Sequence, residues 1–579
     1  MRDGLILLLL GINLFGISAK VAANPPAQTT LAINPDGLLA QVPNPIIPRQ
    51  PEQPSPQPPS PTPEIPLQLP PSFTPSPSIS PDIPGTIIVK EFIFEGNTAF
   101  SDSQLAEITK DFRDKPISFA ELLQAEILIN KKYTDAGYIN SGAVIPENQD
   151  LSPEAALVEI QIIEGSLEDI VVTGTGRLQP EYIRSRLAIA TQRPLNQKKL
   201  LEALQLLQLN PLIKRISAEL SAGARPELSL LKVSVQEADS FEIKAIINNG
   251  RVPSIGSFER GVQIQERNLL GFGDGLELTY RNTDGSNAVD IGYTIPFNPR
   301  NGTIKLGGGF SQTTVIEPPF DVLDITGDFN YYELSVRQPV LESPTQELAL
   351  GLTLSLQRSQ TRLLGENFPL SLGATDNGET NVTVLRFFQD WTQRNNRELF
   401  AVRSQFSLGI GALGATLNAE PPDGRFFSWR GQGQYVRLLA PNTLWVVRSD
   451  LQFASRATFP IEQFALGGLD SVRGYRQNFL LTDNAIFAST EVRLPVWRIP
   501  EVEGLLQVAP FIDFGTGWNS SNFVNPEPNT LVGDGFGLVW TMGDRLNARL
   551  DWGIPLVAVD VDRRTLNENG LYFTLDYNF

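Results

Sequence analysis

From Leu348 to Gln357 the chain reads Leu-Ala-Leu-Gly-Leu-Thr-Leu-Ser-Leu-Gln, with leucine at every second position. A period of two belongs to a strand with unlike faces. A strand in a soluble sandwich also alternates. Here, however, the non-leucine face is Ala, Gly, Thr, Ser and Gln, which suits a polar lumen behind leucines that face lipid. Weaker alternation recurs over Gln405–Gly411, Leu444–Ala454 and Leu546–Ile554. The last strand places Leu571, Phe573, Leu575, Tyr577 and Phe579 on one face. Trp429, Trp445, Trp518 and Tyr572 are expected in aromatic girdles at the membrane surfaces. No helical period appears from 240 to 579, and the tract has room for about 16 strands of ~10 spanning residues. The prediction is a transmembrane antiparallel β-barrel, closed because lipid does not tolerate open sheet edges.

Residues 86–239 carry a different pattern, repeated once. The first copy opens with the strand Ile88–Phe94 and turns at Gly96-Asn97. A helical segment follows around Leu105, Ile108 and Phe112. Ser118 and Glu121 have the spacing of a capping box, and the helix they start carries Leu122, Ile129 and Tyr133 before a stop at Gly137. Val158, Ile160 and Ile162 then alternate with other residues ahead of Glu164-Gly165. The second copy runs from Ile170-Val171-Val172 and Gly174 through a helix capped by Asn196, bearing Leu200, Leu201, Leu204 and Leu207. It ends at Leu231, Val233, Val235 and Glu237. The near-equal spacing of the opening glycines and closing glutamates marks an internal repeat. The predicted units, 86–165 and 166–239, are small α/β sheets with helices, each leaving a free sheet edge.

The segment 24–85 holds seventeen prolines between Pro43 and Pro84. Such a run lacks amide donors, favours extended polyproline II and reads as a semi-rigid spacer. Ahead of it, 1–23 reads as an export signal: Arg2, the apolar run Leu5–Ile17, then Val21-Ala22-Ala23 for cleavage after Ala23. No other segment has the ~18 apolar residues of a spanning helix.

Composition narrows the chemistry. With no cysteine and no histidine, disulfides, thiol nucleophiles, Ser-His-Asp triads and the usual zinc sites are excluded. The formal charge of -18 argues against nucleic acid, which needs a basic face. Gly271-Phe272-Gly273-Asp274-Gly275 is not followed by Lys-Ser/Thr, so it reads as a strand turn rather than a phosphate-binding loop. No cofactor, no metal and no enzymatic activity are expected.

Three motifs stand in order on the barrel tract: Asn268–Asp274, then Gly467-Gly468-Leu469-Asp470-Ser471-Val472-Arg473-Gly474-Tyr475, then Phe511-Ile512-Asp513-Phe514-Gly515. With two α/β repeats ahead of them, the chain from Ile87 to Phe579 resembles the two-partner secretion transporters of the hemolysin-activator (TpsB) type. These belong to the POTRA-barrel superfamily. The resemblance makes the two α/β units POTRA domains. It places Val472, Arg473, Gly474 and Tyr475 on a loop folded back into the barrel, and Phe511, Asp513 and Gly515 on a barrel strand. The Asn268–Asp274 stretch resembles the turn after the first barrel strand. Phe511 and Asp513 share a strand face. If that face is the lumen, as the family implies, the planar donor fork of Arg473 could pair with Asp513 in bidentate fashion.

The implied function is export. An unfolded, TpsA-like exoprotein in the periplasm binds the POTRA domains and passes through the barrel. The other implied partners are outer-membrane lipid and, during biogenesis, the barrel assembly machinery, for which Phe579 fits the C-terminal insertion signal. Some relatives plug the barrel with an N-terminal helix; here only Thr30 to Val42 has room for a short one. Two other readings stay open, a barrel assembly factor and a passive porin-like channel.

Overall fold

The computed structural model describes residues 67–68, 85–147, 149, 155–225, 227–521, 523–560 and 563–579. The expected export signal, the Thr30–Val42 stretch and nearly all of the proline-rich spacer lie outside the described residues. Within the spacer, Leu67–Gln68 form a short strand, β1.

The first α/β unit contains strands β2 (Thr86–Glu95), β3 (Pro116–Ser118), β4 (Gly142–Val144) and β5 (Ala156–Ile163), in the sheet order β3-β2-β5-β4. Helices α1 (Asp102–Thr109) and α2 (Phe119–Asp135) cover one face. Both begin in complete capping boxes, Ser101 with Gln104 and Ser118 with Glu121, which satisfy amide donors that a helix start otherwise leaves free. Helix α2 buries Leu122, Ala125, Ile129 and Tyr133 against Val89, Val158 and Ile160. It stops at Gly137, whose φ of +98° is costly for other residues.

The second unit repeats the plan with β6 (Ser166–Thr173), β7 (Ile213–Ala222), β8 (Leu228–Glu237), α3 (Pro180–Ala190) and α4 (Gln197–Gln208). Its sheet order is β1-β7-β8-β6. Strand β7, which would otherwise be an edge, is therefore covered over two residues, Leu67 opposite Ala218 and Gln68 opposite Glu219. Leu67 and Gln68 sit between Pro66 and Pro70, and both keep the amide donor that proline lacks. Strand β6 is the other edge.

The repeat holds at atomic detail. Glu164 accepts from the amides of Thr98 and Ala99, each at 2.7 Å, and from the Thr98 hydroxyl. Glu237 likewise accepts from the amides of Gly176, Arg177 and Leu178. The glycine two residues before each loop fits closely: a Cβ on Gly96 would lie 2.5 Å from the Ile162 carbonyl oxygen, and one on Gly174 2.3 Å from that of Val235.

The barrel follows at once. Its strands are β9 (Phe241–Asn248), β10 (Glu259–Glu266), β11 (Gly275–Thr283), β12 (Ser286–Pro296), β13 (Thr303–Thr314), β14 (Thr326–Glu342) and β15 (Gln346–Leu363). After the two-residue β16 (Glu366–Asn367) come β17 (Glu379–Arg394), β18 (Glu398–Gly409), β19 (Phe427–Ala440) and β20 (Thr443–Ala454). The small hairpin β21 (Phe464–Leu466) and β22 (Leu480–Thr482) precedes β23 (Asn484–Ile499), β24 (Gly504–Trp518), β25 (Thr530–Met542), β26 (Leu546–Pro555) and β27 (Leu571–Asn578). Sixteen of the described strands close the antiparallel wall, and β27 meets β9 over the pairs Thr574–Asn248 to Asn578–Lys244. No described helix is long and apolar enough to cross a membrane.

On β15 the leucines point outward, Leu350 and Leu352 exposed, while Ala349, Gly351, Ser355 and Gln357 are buried inside. Trp429 stacks on Phe453 and Trp445 packs edge-on against Tyr435, both on the outer surface. Two expectations are corrected. Tyr572 is not in a girdle: Phe573, Leu575 and Tyr577 take the outer face of β27, so strand alternation turns Tyr572 inward, fully buried. The Asn268–Asp274 turn follows the second barrel strand, β10, because β9 already forms the first and pairs with both β10 and β27.

Candidate functional site

The turn after β10 is where the second α/β unit meets the barrel. Gly271 and Gly273 have φ of +96° and +81°. The Gly271 carbonyl accepts from the Gln179 amide at 2.7 Å, and the Tyr182 ring lies against Gly273. Arg177 Nη2 donates to the Asn268 carbonyl at 3.0 Å, and Arg186 Nε to Asn301 Oδ1 in the β12–β13 turn at 3.0 Å. Asp274, fully buried, holds the turn by accepting from the Leu270 amide and the Tyr293 hydroxyl. This end of the barrel has short turns.

The opposite end has long loops, and the one joining β20 to β23, residues 455–483, folds into the lumen. Val472 is buried with Phe464, Leu466, Leu480, Phe487 and Leu531, an apolar anchor inside a polar interior. Gly515 makes room for it: a Cβ there would lie 2.7 Å from Val472 Cγ2. Arg473 reaches Asp513 in a two-pronged pair, Nε to Oδ2 at 2.7 Å and Nη2 to Oδ1 at 2.9 Å, and its own amide donates to Oδ2 at 3.1 Å. Its guanidinium lies 3.3 Å above the centre of the Phe511 ring, a cation–π contact. Gly474, at φ +103°, passes against the end of β26, where a Cβ would be 2.8 Å from the Pro555 nitrogen. The Tyr475 hydroxyl donates to the Val532 carbonyl at 2.7 Å and accepts from the Val557 amide at 3.0 Å.

The pair belongs to a larger network. Arg473 also contacts Glu491 at 3.1 Å and Asp551 at 3.5 Å, Arg549 bridges Glu491 and Asp551, and Arg493 meets Glu491 at 2.8 Å. Three arginines thus pair with three carboxylates, so the ion pairs of the cluster are matched in number, with Arg473 1% exposed and Asp513 fully buried. That balance matters, since burying an unmatched charge costs several kcal/mol. Ser489 donates to Asp513 Oδ1 at 2.6 Å. The Tyr572 hydroxyl accepts from the Gly474 amide at 2.9 Å and donates to the Tyr475 carbonyl at 2.6 Å.

The sequence motifs did not include Glu491, Asp551, Arg549, Ser489 or Tyr572. The signal for the acids was present: each sits on a strand between apolar residues, Thr490 aside, as in Leu550-Asp551-Trp552. A lone charge there must face inward. Beneath the loop lies a cavity of ≈1020 Å³ whose wall includes Arg281, Asp290, Arg386, Glu462, Arg473 and Glu491. Phe579 stands apart, 80% exposed at the end of β27, its amide on the Ile243 carbonyl at 3.0 Å.

Residues 227–540, more than half of the chain, match the family described as haemolysin secretion/activation protein ShlB/FhaC/HecB. The chain belongs to that family. Residues 87–165 match the ShlB-type POTRA domain. This haemolysin-activator chain is 22% identical to the outer membrane transporter CdiB of Dickeya dadantii over 446 residues, 74% of this chain and 76% of the other. It is 21% identical to the heme/hemopexin transporter protein HuxB of Haemophilus influenzae over 461 residues, 74% of this chain and 75% of the other. Its fold matches CdiB from Escherichia coli with a TM-score of 0.68 at 20% identity, covering 88% of this chain and 93% of that structure. The haemolysin-activator family consists of two-partner secretion transporters, so this member is an outer-membrane protein that carries an exoprotein through its barrel, its POTRA domains on the periplasmic side.

Proposed function

We propose that the loop 455–483 is the lid of this transporter and that the Arg473–Asp513 pair is its latch. The observation that carries the reading is a charge-matched ion cluster, centred on the buried Arg473–Asp513 pair, that joins a loop to the wall across what is otherwise an aqueous lumen. An ordered loop loses roughly 1 kcal/mol or more of backbone entropy per residue, so it stays inside only while such anchors hold it. The cycle starts with an unfolded exoprotein adding a strand to an edge of the POTRA sheets, β6 among them. The chain then threads the lumen in extended form while the lid shifts. Folding outside drives the movement, since nothing in the sequence resembles a nucleotide-binding loop.

The division we propose is an export signal at 1–23, a spacer at 24–85, POTRA domains at 86–165 and 166–239, and the barrel at 240–579. The barrel sits in outer-membrane lipid, is inserted by the barrel assembly machinery through the Phe579 signal, and acts as a transporter without enzymatic chemistry.

The test compares secreted and outer-membrane proteomes of a deletion strain complemented with the parent or with Arg473→Ala. One or a few large proteins should vanish from the medium in both the deletion and the variant, with the variant barrel in place. Unchanged secretion in the variant removes the latch; a general fall in other barrels assigns assembly instead.

A further inference from the structure

The lumenal loop is held at its root as well as at its tip. Phe459 and Ile461 pack with Val382, Val384 and Phe426 on the β17–β19 side of the barrel. The next residue, Glu462, faces the cavity wall. Its Oε1 accepts from Arg386 Nη2 at 2.6 Å and from Gln357 Nε2 at 2.7 Å, and its Oε2 accepts from Arg386 Nη1 at 3.1 Å. The Glu462 carbonyl takes a bond from Gln452 Nε2 at 2.9 Å, and Arg386 is itself steadied by Ser407 Oγ at 3.1 Å. The side chains of Arg386 and Glu462 are 16% and 7% exposed.

The partners of this contact lie on β15, β17, β18 and β20. Those of Arg473 and Gly474 lie on β23, β24, β26 and β27, so the two sets share no strand. The polarity is also reversed. At the tip the loop supplies the guanidinium and the wall the carboxylates; at the root the loop supplies the carboxylate and the wall the guanidinium. A loop fixed only at its tip could swing on its root, whereas one fixed on two separate sectors spans the lumen.

We propose that Glu462–Arg386 is a second latch, a positioning pair that opens separately from Arg473–Asp513 and must be released before the lumen clears. The proposal rests on the reading of this loop as the lid. A bidentate pair with a third donor is strong when kept from water, yet a passing polypeptide brings amides and carbonyls that can replace its partners one by one.

Channel conductance tests this without any exoprotein, so it stands or falls apart from the secretion reading. Purified full-length protein is placed in planar lipid bilayers. Glu462→Gln should make large openings about tenfold more frequent or more. The exchanged pair, Glu462→Arg with Arg386→Glu, should return the frequency toward that of the parent. Parental gating in Glu462→Gln overturns the proposal. An exchanged pair that gates like Glu462→Gln also overturns it, because packing of the root and not the ion pair would then set the closed state. If Glu462→Gln fails to insert, Glu462→Cys with Arg386→Cys decides, in a chain that has no other cysteine. Bridging the two thiols with a reducible bifunctional reagent should suppress large openings until reductant is added; bridging without effect overturns the second latch.

Discussion

The hydroxyl of Tyr572 grips the backbone on both sides of one peptide of the lumenal loop, accepting from the Gly474 amide at 2.9 Å and donating to the Tyr475 carbonyl at 2.6 Å. Tyr572 lies on β27, the strand that closes the barrel against β9. The lid is thus tied by a neutral side chain to the closing strand, in addition to its ionic tie to β24. Tyr572→Phe leaves that amide and that carbonyl buried without a partner, a loss of about 1–3 kcal/mol. The expected result is faster proteolysis of the loop in folded, heat-modifiable barrels. Parental cleavage rates would show that the phenol adds nothing to lid retention.

The ion cluster predicts non-additive behaviour. Arg473→Ala strands three carboxylates with two arginines, an imbalance worth about 3–5 kcal/mol. Removing Asp513 as well restores the balance. Secretion should therefore fall strongly in Arg473→Ala, and Asp513→Ala on top of it should add little. Arg473→Lys should rescue poorly, because an ammonium has no planar fork to match Asp513 and no flat face to lie on Phe511. The amount of exoprotein in the medium, scored per inserted barrel, measures all three.

A purely steric prediction concerns Gly533 on β25. A Cβ there would lie 2.0 Å from the Arg473 carbonyl oxygen, so Gly533→Ala must push the lid off the wall while changing no charge. It should resemble Arg473→Ala in secretion assays. Gly307→Ala is the control, since its added methyl meets nothing nearer than 3.8 Å.

In the first POTRA domain, pH should act through Glu164. Burial pushes its carboxyl up, but the Thr98 hydroxyl, the amides of Ala99 and Thr98 and the Tyr133 hydroxyl together hold it below the usual glutamate value. A lowered folded value means that the stabilisation is complete above the ordinary value of about 4.3 and is lost as pH falls through the lower one. Hydrogen exchange on the full chain, corrected for intrinsic rates, should show the Thr98–Ala99 loop opening as pH falls below about 4.3. Glu164→Gln should flatten that dependence; an equally steep loss in the variant would assign it to another group.

Deletion of Phe579 tests the insertion signal separately from the lid. The truncated chain should accumulate in the periplasm, with the few barrels that do insert conducting normally. Membrane fractionation reads the outcome.

Much of this molecule is legible along the chain because it depends on local periodicity. Leucine at every second position of β15 dictates a strand with one oily face, whatever its neighbours are. Ser118 and Glu121 dictate a helix start, and Gly137 its end, since both act within a few residues. The repeat of glycine and glutamate marks two copies of one unit, although that each glutamate binds the loop after the glycine appears only when the sheet brings together residues 65 and 66 apart in the first copy and 59 to 61 apart in the second. The pairing of Arg473 with Asp513 is foreshadowed by two short motifs. What surrounds it is not: Glu491, Asp551 and Tyr572 come from three other strands, and closure of the barrel alone makes them neighbours. Tyr572 reads as an interfacial aromatic by composition, and only the register of β27, set by its lipid-facing partners, turns it inward. Glu462 and Arg386 are likewise ordinary charges in the sequence, and they meet because a loop of 29 residues, 455–483, folds back into the lumen. Local chemistry determines the elements and their faces; long-range closure decides which inward-facing charges meet, because that depends on the circumference of the wall and not on any single strand.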